Sequence, residues 1–314
     1  HFQGRKAKIH PGNKEFRVGK ESDGFELSQL GQLKELGGSL ELRNLEKVPT
    51  KDEANELKLV HKNHLKELTL EWNDRRPNKD SVQEESILES LVPHGNLKEL
   101  RIYWHGGTSC PSWLCDDLSL KYLEHLCLHG VCRKNLPPLG EMRMVNERGE
   151  EYQSCSISRF PNLKRLQLSV ISCLTKWVGN SACPFFSHLE VLIVRACSEL
   201  TELPFSHPTC CQAQQEEKMA WFPKLWELVI ENCPKLAFLP PIPWRIDAQC
   251  SAKIERAGSG FEQLIYETKL RGLVDVKGKD GLGDVLWNGL NFSSLTDVEY
   301  LCMDRCPLPP LDHM

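Results

Sequence analysis

The residues best equipped for chemistry in this sequence are its 14 cysteines and 11 histidines, because thiolates and imidazoles bind zinc and serve as nucleophiles or bases. A structural zinc site needs two close pairs of such ligands. No Cys-x-x-Cys occurs, and no cysteine or carboxylate set completes a site around His61 and His64. Apart from the adjacent Cys210 and Cys211, the shortest cysteine separations are Cys110/Cys115, Cys127/Cys132 and Cys302/Cys306. We therefore expect no bound metal.

Motifs of catalysis and nucleotide binding are also missing. Neither the Gly-x-Ser-x-Gly of serine hydrolases nor the His-Glu-x-x-His of zinc proteases occurs in the sequence. The two Gly-Lys pairs are followed by Glu21 and Asp280, where a phosphate-binding loop has Ser or Thr. The sequence therefore predicts no catalytic residues and no cofactor-binding residues, and hence a protein that is not an enzyme.

Composition and charge narrow the remaining classes. The 39 basic and 43 acidic residues give a formal charge of −4, so no basic excess attracts nucleic acid or anionic membrane. No apolar run approaches the ~20 residues needed to cross a bilayer. The hydrophobic share of 40% and the modest cysteine content indicate a globular, cytoplasmic chain without a disulfide framework. Because the sequence starts at His1 without a signal peptide, we interpret it as a fragment of something longer.

The strongest pattern is a repeat built on leucine. The segment Leu225-x-x-Leu228-x-Ile230-x-x-Cys233 fits the template L-x-x-L-x-L-x-x-N/C of leucine-rich repeats. A further match ends at Met303 and Cys306. The last aliphatic residue of the template recurs at intervals of 26 to 40 residues, at Leu42, Leu70, Ile102, Leu128, Leu168, Val194 and Ile230. Chance does not generate this many matches, so the chain is predicted to be a repeat protein.

The physics of the template predicts the fold class. The L-x-L alternation has the period of a short β-strand with one face inward, and only stacking of neighbouring repeats buries that face. The prediction is an α/β leucine-rich-repeat solenoid, a curved horseshoe with a concave parallel β-sheet and a helical or irregular convex side. Between two strands the chain must return along the convex side, and we call these connecting segments returns. Capping boxes at Thr50-x-x-Glu53 and Ser81-x-x-Glu84 predict helices in two of them, the first over 53–62.

The same pattern predicts the domain organisation. Residues 1–26 are interpreted as an N-terminal segment, and residues 27–314 as a single domain of about 8–10 irregular repeats. The repeat is degenerate at 141–158 and 242–290, with one weak copy at Phe261-x-x-Leu264-x-Tyr266, and a loop is inserted at 206–219. The template cysteines Cys197, Cys233 and Cys306 are expected to be reduced, buried and packed, while Cys210 and Cys211 lie in the exposed loop.

Side chains between the template leucines are predicted to point out of the concave sheet, where a solenoid binds other molecules. Trp72 and Trp104 follow equivalent strands, so their rings are expected to lie within reach of each other and to be flanked by charge. Aromatic residues near arginine are typical of protein-binding hot spots. The predicted protein-binding residues on this face are Glu71, Trp72, Lys98, Arg101, Tyr103, Trp104, His129, Arg165, Arg195, Trp226 and Glu231.

Three stretches resemble one family, the leucine-rich-repeat region of plant coiled-coil nucleotide-binding leucine-rich-repeat (NLR) disease resistance proteins. Together the stretches cover most of residues 16–240. After Leu139-Gly140 the sequence departs from the family pattern, where another Leu-Pro-x-Leu is usual. The resemblance is carried by 25–30 with 36–48, 53–54 and 65–72; by 91–100 with Pro111-Ser112-Trp113-Leu114; and by Phe160-Pro161-Asn162-Leu163, Phe222-Pro223-Lys224-Leu225 and 233–236.

The resemblance implies a recognition domain of an intracellular plant innate immune receptor. Such a domain would bind a pathogen effector or a guarded host protein and would hold the parent's nucleotide-binding domain inactive. ADP or ATP is then expected only in that domain of the parent, with no cofactor in this chain. A leucine-rich-repeat substrate adaptor of a ubiquitin ligase is the alternative. An extracellular repeat receptor is a weaker one, because the Asn291-Phe292-Ser293 sequon is expected by chance in a chain of this size.

Overall fold

The computed structural model describes most of the predicted repeats and divides the chain into two compact units. Unit 1 comprises His1–Pro137 and Arg159–Leu163, and unit 2 comprises Pro138–Ser158 and Lys164–Met314. The predicted loop at 206–219 lies outside the described residues, and the single domain over 27–314 stays a prediction. The described residues are 9–10, 13–19, 26–77, 80–107, 109–115, 119–131, 139, 141–145, 150–154, 160–178, 186–204, 222–237, 242, 244, 250–258, 261–268, 272–279 and 298–306.

Unit 1 contains a sheet in which the strands follow one another in chain order. The first two strands pair antiparallel and every later pair in the unit is parallel. The register aligns Leu42 with Leu70, Leu70 with Ile102, and Ile102 with Leu128, and all four side chains are buried. This row confirms the predicted repeat. The strands are β1 Ile9–His10, β2 Asn13–Arg17, β3 Gly38–Arg43, β4 Leu65–Glu71, β5 Glu99–Tyr103 and β6 His125–His129.

Short helices make the returns of unit 1: α1 Leu27–Gly31, α2 Lys51–Glu56, α3 Ser81–Ser90 and α4 Ser112–Cys115. As predicted, Thr50 caps α2, and its Oγ1 accepts a hydrogen bond from the Glu53 N–H at 3.2 Å. The helix ends at Glu56 rather than at residue 62, because Lys58 has a left-handed backbone and a 3₁₀ turn, Leu59–His61, follows it. The cap of α3 is Asp80 rather than Ser81, since Asp80 Oδ1 accepts from the Gln83 N–H at 3.0 Å.

Unit 2 contains two sheets. The smaller sheet has the order β10-β7-β8 and is antiparallel. In the larger sheet the strands β9, β11, β12 and β13 are parallel, as are β15 and β16, but β14 is antiparallel to both of its neighbours. The strands are β7 Glu141–Val145, β8 Glu151–Ser154, β9 Arg165–Ser169, β10 Leu174–Val178, β11 Val191–Arg195, β12 Glu227–Cys233, β13 Ser251–Ala257, β14 Phe261–Glu267, β15 Leu273–Gly278 and β16 Tyr300–Asp304.

The two stretches predicted to be degenerate repeats are where the sheet departs from the parallel expectation. Within 141–158, β7 and β8 form a hairpin that pairs with β10 instead of a repeat. The copy at Phe261-x-x-Leu264-x-Tyr266 does form a strand and buries Leu264 and Tyr266, but this strand runs antiparallel. Its connection to Ala257 is only three residues long, whereas a parallel crossover needs about a dozen residues or more.

A left-handed residue marks the exit of the chain from the strand in most repeats. It stands two positions after the last inward residue of the template, at Asn44, Trp104, Val170, Ala196, Asn232, Arg256 and Arg305, with φ between 48° and 62°. The cysteine that follows in three repeats packs below the turn. Cys197 and Cys233 are fully buried thiols that donate to the carbonyls of Arg195 and Glu231 at 3.5 Å. Cys306 is only half-buried, contrary to prediction.

Candidate protein-interaction face

Outward side chains of unit 1 form rows across neighbouring strands, because parallel pairing keeps equivalent template positions side by side. In one row the register aligns Arg43 of β3 with Glu71 of β4, Glu71 with Tyr103 of β5, and Tyr103 with His129 of β6. The next row aligns Thr69 with Arg101 in the same manner. Each outward residue thus lies beside its equivalents in the adjacent repeats, and the face of the sheet presents them in rows.

Arg43 organises the charged side of this face. Its guanidinium lies 2.6 Å from a carboxylate oxygen of Glu41, 3.4 Å from Glu15 and 3.6 Å from Glu71. Burial opposes ionisation of Arg43, but the three carboxylates outweigh it, and the pKa of Arg43 is raised. Burial also raises the pKa of Glu71, and Arg43 opposes that shift. Glu71, predicted for this face, is therefore held in an ion-pair cluster rather than standing alone.

The outward residues of β5 and β6 form what we call the β5–β6 patch, made of Glu99, Arg101, Tyr103, His125 and His129. Glu99 pairs with Arg101, and its Oε2 lies 3.4 Å from Nδ1 of His125. The Tyr103 ring lies 5.5 Å from the His129 ring, centroid to centroid. Burial raises the pKa of Tyr103 to about 12 and lowers the pKa of His129, so both groups are neutral at neutral pH. The patch combines charge with half-buried aromatic surface.

Lys98 lies at the edge of the β5–β6 patch, immediately before β5. Its Nζ lies 2.7 Å from Oε1 of Glu124, in the next repeat, and its side chain is 55% exposed. The pair joins the entrances of two neighbouring strands. Lys98 therefore extends the charged rim, as the sequence predicted, although its own charge is balanced by Glu124.

The two tryptophans do not form the predicted exposed pair. Trp72 is fully buried, with its ring centroid 4.8 Å from that of His105, so it is excluded from the binding face. Trp104 is half-buried and meets the His129 ring edge-on at 4.7 Å. Its left-handed backbone carries the indole over Gly130, where a Cβ atom would collide with the ring. Each tryptophan therefore packs on a histidine, and Trp104 reaches the surface only in part.

A buried ion pair supports the turn beside the β5–β6 patch, and sequence reasoning missed it. Arg76 and Glu84 form a bidentate pair with both N···O distances at 2.6 Å, and their side chains are 3% and 5% exposed. Arg76 also donates to the Trp104 carbonyl at 2.9 Å, and the Gly106 N–H donates to Glu84 at 2.6 Å. The spacing of Ser81 and Glu84 indicates a capping box, so the sequence assigned Glu84 to the start of a helix and not to an ion pair with Arg76. No local spacing signals such a pair.

Unit 2 carries its own charged row at the equivalent template position. The register aligns Arg195 of β11 with Glu231 of β12, and Arg195 Nε lies 2.7 Å from Glu231 Oε2. Lys253 of β13 lies 3.0 Å from Glu231, and this hydrogen bond is the main cause of the raised pKa of Lys253. Arg165, also predicted, is a half-buried residue at the start of β9 and aligns with Val191. Arg195 and Glu231 are thus brought together, while Arg165 lies at the other end of the strands, beside Val191.

The neighbouring outward positions of unit 2 are aliphatic and form what we call the apolar cluster: Val191, Ile193, Val229 and Trp226. Val191, Ile193 and Val229 are only 7%, 2% and 6% exposed, and the half-buried Trp226 packs against them. The predicted site residue Trp226 is therefore part of a packed cluster. Val191, Ile193 and Val229 point out of the sheet by register yet are almost fully buried.

Among the described residues of both units, no group of three or more His, Cys, Asp or Glu side chains is arranged to hold a metal ion. No helix in the same residues has the length and hydropathy required for a bilayer crossing.

The stacked strands, the buried inward rows and the repeated left-handed exits define a leucine-rich-repeat protein, and the comparisons with known proteins agree. Residues 27–171 match the family model described as R13L1/DRL21 LRRs. The chain is also similar to the disease resistance protein RGA2 of Solanum bulbocastanum, with 26% identity over 252 residues. The alignment covers 72% of this chain but 26% of RGA2. No solved structure matches the chain significantly.

These matches confirm the resemblance drawn from the sequence. Residues 27–171 match a leucine-rich-repeat family, and the chain is similar to a plant disease resistance protein over most of its length. Because it spans only about a quarter of the length of the curated relative, the activity and the partners of a whole receptor do not follow from the matches alone.

Proposed function

We propose that this chain is the recognition domain of an intracellular plant innate immune receptor, and that its β5–β6 patch is a protein-binding surface. The observation that carries the proposal is the composition of the patch. The Glu99–Arg101 ion pair lies next to the half-buried rings of Tyr103 and His129 on the same face. Arginine and tyrosine at the centre of a surface, with charge at its rim, are typical of binding hot spots.

The scaffold below the patch supports the same function. Inward leucines hold β5 and β6 in register, and the Arg76–Glu84 pair fixes the turn that follows β5. Side chains on such a rigid support lose little conformational entropy when a partner binds. The function is therefore binding rather than catalysis.

The partners follow from the receptor class. In the resting state, the patch contacts the nucleotide-binding domain of the parent receptor and holds it inactive, and ADP or ATP binds only to that domain. On infection, a pathogen effector or a guarded host protein competes for the same surface. Both partners are proteins in the cytoplasm, and neither nucleic acid nor a membrane span enters the mechanism.

The test is a pull-down of the chain with the nucleotide-binding domain of the parent, comparing wild type with Arg101→Ala combined with Tyr103→Ala. Loss of a hot-spot pair should weaken binding by about 2 kcal/mol, roughly 30-fold in Kd. The control is Lys235→Ala, since Lys235 is an exposed cation paired with Glu199 that lies outside the strand faces. Equal binding of all three chains, each folded by circular dichroism, would contradict the proposal.

A further inference from the structure

Two cysteines of unit 1 lie at the ends of a tight turn in the return between β5 and β6. Cys115 is the last residue of α4, and its N–H donates to the carbonyl of Pro111, one helical turn earlier, at 3.2 Å. Cys110 comes immediately before Pro111, and its thiol is hydrogen-bonded to the thiol of Cys115. Both cysteines are free and partly exposed. The turn therefore presents a dithiol that solvent can reach.

Contacts with α3 hold this turn in place. The buried Trp113 donates from its Nε1–H to the Leu88 carbonyl at 3.0 Å, and the Ser112 N–H donates to Oε2 of Glu89 at 2.8 Å. The backbone between the two cysteines is thus fixed at both of its central residues. Groups that are held together in this way react with each other far more readily than the same groups free in solution.

Two other cysteine pairs show that contact and exposure are separate properties. The thiols of Cys197 and Cys233 also lie in contact, but both residues are fully buried. Cys302 is exposed and Cys306 is half-buried, yet the Cys306 thiol donates to backbone carbonyls at 3.2 and 3.5 Å rather than to a second thiol. The pair beside α4 combines contact between thiols with access to solvent.

We propose that Cys110 and Cys115 form a modification site, at which a small-molecule disulfide such as glutathione disulfide reversibly oxidises the pair to an intramolecular disulfide. The hydrogen bond with Cys115, together with burial, raises the pKa of Cys110 and keeps its proton in place. Because the thiolate is the nucleophile in thiol–disulfide exchange, Cys115 is the residue that attacks first.

The reaction proceeds in two exchange steps. Cys115 loses its proton to solvent, its sulfur bonds to one sulfur of glutathione disulfide, and the other glutathione leaves as a thiolate. Cys110 then loses its proton and attacks the Cys115 sulfur of this mixed disulfide, and the second glutathione leaves. The cysteine pair gives up two electrons, which reduce glutathione disulfide to two molecules of glutathione.

The new bond closes a ring over residues 110–115. Since Ser112 and Trp113 within this ring attach the turn to α3, the disulfide restricts local opening of the return that leads into β6. The ring lies outside the β5–β6 patch, so the inference is independent of the proposed function.

The experiment incubates the full chain in glutathione buffers with an increasing share of glutathione disulfide. Free thiols are then blocked by alkylation, and disulfides are mapped by mass spectrometry of peptides. The same protocol is applied to Cys110→Ser and Cys115→Ser, after circular dichroism has shown that both variants fold. The buried Cys197 and Cys233 are the internal control for contact without access, and the exposed Cys302 reports that the buffer is oxidising.

We expect a Cys110–Cys115 link in the wild-type chain, reversed by excess glutathione, while Cys197 and Cys233 stay alkylated. Cys110→Ser should retain glutathione on Cys115, and Cys115→Ser should react at Cys110 at least about tenfold more slowly. Amide hydrogen exchange at 112–115 should slow by at least about fivefold in the oxidised chain.

Three results would overturn the inference. One is a chain in which Cys302 carries glutathione while Cys110 and Cys115 remain free thiols. Another is a wild-type chain in which glutathione persists on Cys115, because the second step then fails. The third is a Cys197–Cys233 link that forms as fast as the Cys110–Cys115 link, because unfolding rather than the α4 turn would then control the reaction.

Discussion

The outward faces of the two units use the same template positions for different chemistry. In unit 1 the position between the two inward residues of β5 is held by Arg101, which is paired with Glu99 and partly exposed. In unit 2 the same position of β11 is held by Ile193, which is 2% exposed within the apolar cluster. At this position unit 1 has a charged side chain that is partly exposed to solvent, whereas unit 2 has an apolar side chain that is already buried.

This difference separates what the repeat requires from what it permits. The inward positions are aliphatic in both units, because stacked strands leave no room for water between them. The outward positions bear no such constraint. In unit 2 some of them add apolar packing, beside the charged row of Arg195 and Glu231. In unit 1, on β5 and β6, they present charged and aromatic groups that a partner can contact. The β5–β6 patch is accordingly the better candidate for recognition.

The largest effects should be the same in both units. Leu68→Asp in unit 1 and Leu228→Asp in unit 2 each place an unpaired charge at a fully buried inward position. We expect either change to abolish folding of the surrounding repeats, measured as loss of the cooperative melting transition in circular dichroism. A wild-type melt for one of them would show that the two units do not share a template.

The next effect concerns the support of the β5–β6 patch. Arg76→Ala leaves the Glu84 carboxylate buried without its cation, which should cost about 3–5 kcal/mol in the free energy of unfolding. Arg195→Ala removes a half-exposed ion pair in unit 2 and should cost less than about 1 kcal/mol. Urea unfolding of both variants measures the contrast. Similar costs would mean that the buried pair does not anchor the turn.

A smaller contrast tests the two outward faces themselves. Ile193→Ala should destabilise by about 2–5 kcal/mol because the side chain is buried in the apolar cluster. Arg101→Ala, at the equivalent position, should change stability by less than about 1 kcal/mol. Urea unfolding of the two variants measures both losses of stability. A large loss of stability in Arg101→Ala would place the patch in the core of the fold rather than on a binding surface.

The last predicted effect is a pH dependence to which His105 of unit 1 contributes. Burial lowers the pKa of His105 to about 4, against ~6.5 in an unfolded chain. The unfolded chain therefore takes up a proton first, so the stability contribution is complete above pH ~6.5 and is lost as the pH falls toward 4, by up to roughly 3 kcal/mol. Unfolding at pH 7.5 and 4.5 measures the loss.

Two substitutions identify the source of this dependence. His105→Asn should flatten the pH profile, whereas His188→Asn, at an exposed residue of unit 2, should preserve it. An unaltered profile in His105→Asn would assign the acid sensitivity to other groups.

The sequence predicted the features that depend on periodicity or on local spacing. Inward rows such as Leu70 with Ile102 follow from the template, and the Thr50 cap follows from a four-residue motif. It could not predict features that depend on contacts between distant parts of the chain. Arg76 of the Arg76–Glu84 pair donates to the carbonyl of Trp104, which lies 28 residues further along the chain.

Other misses have equally physical causes. Trp72 occupies a position that can face either way, and its contact with His105, which belongs to the following repeat, turns it inward. The antiparallel β14 retains alternating aliphatic residues, so periodicity alone cannot give its direction. Only the short connection after Ala257 distinguishes an antiparallel β14 from a parallel one. The sequence pattern did not locate the end of β13, so the length of this connection was not known from the sequence.

Footprinting of a complex would show whether a protein partner binds the β5–β6 patch. The chain is labelled by hydroxyl radicals with and without the nucleotide-binding domain of the parent receptor, and modification is mapped residue by residue. We expect protection at Tyr103, His125 and His129, with no change at Trp226 in the apolar cluster. Protection confined to the returns, such as α2 and α3, with the patch still fully labelled, would contradict it.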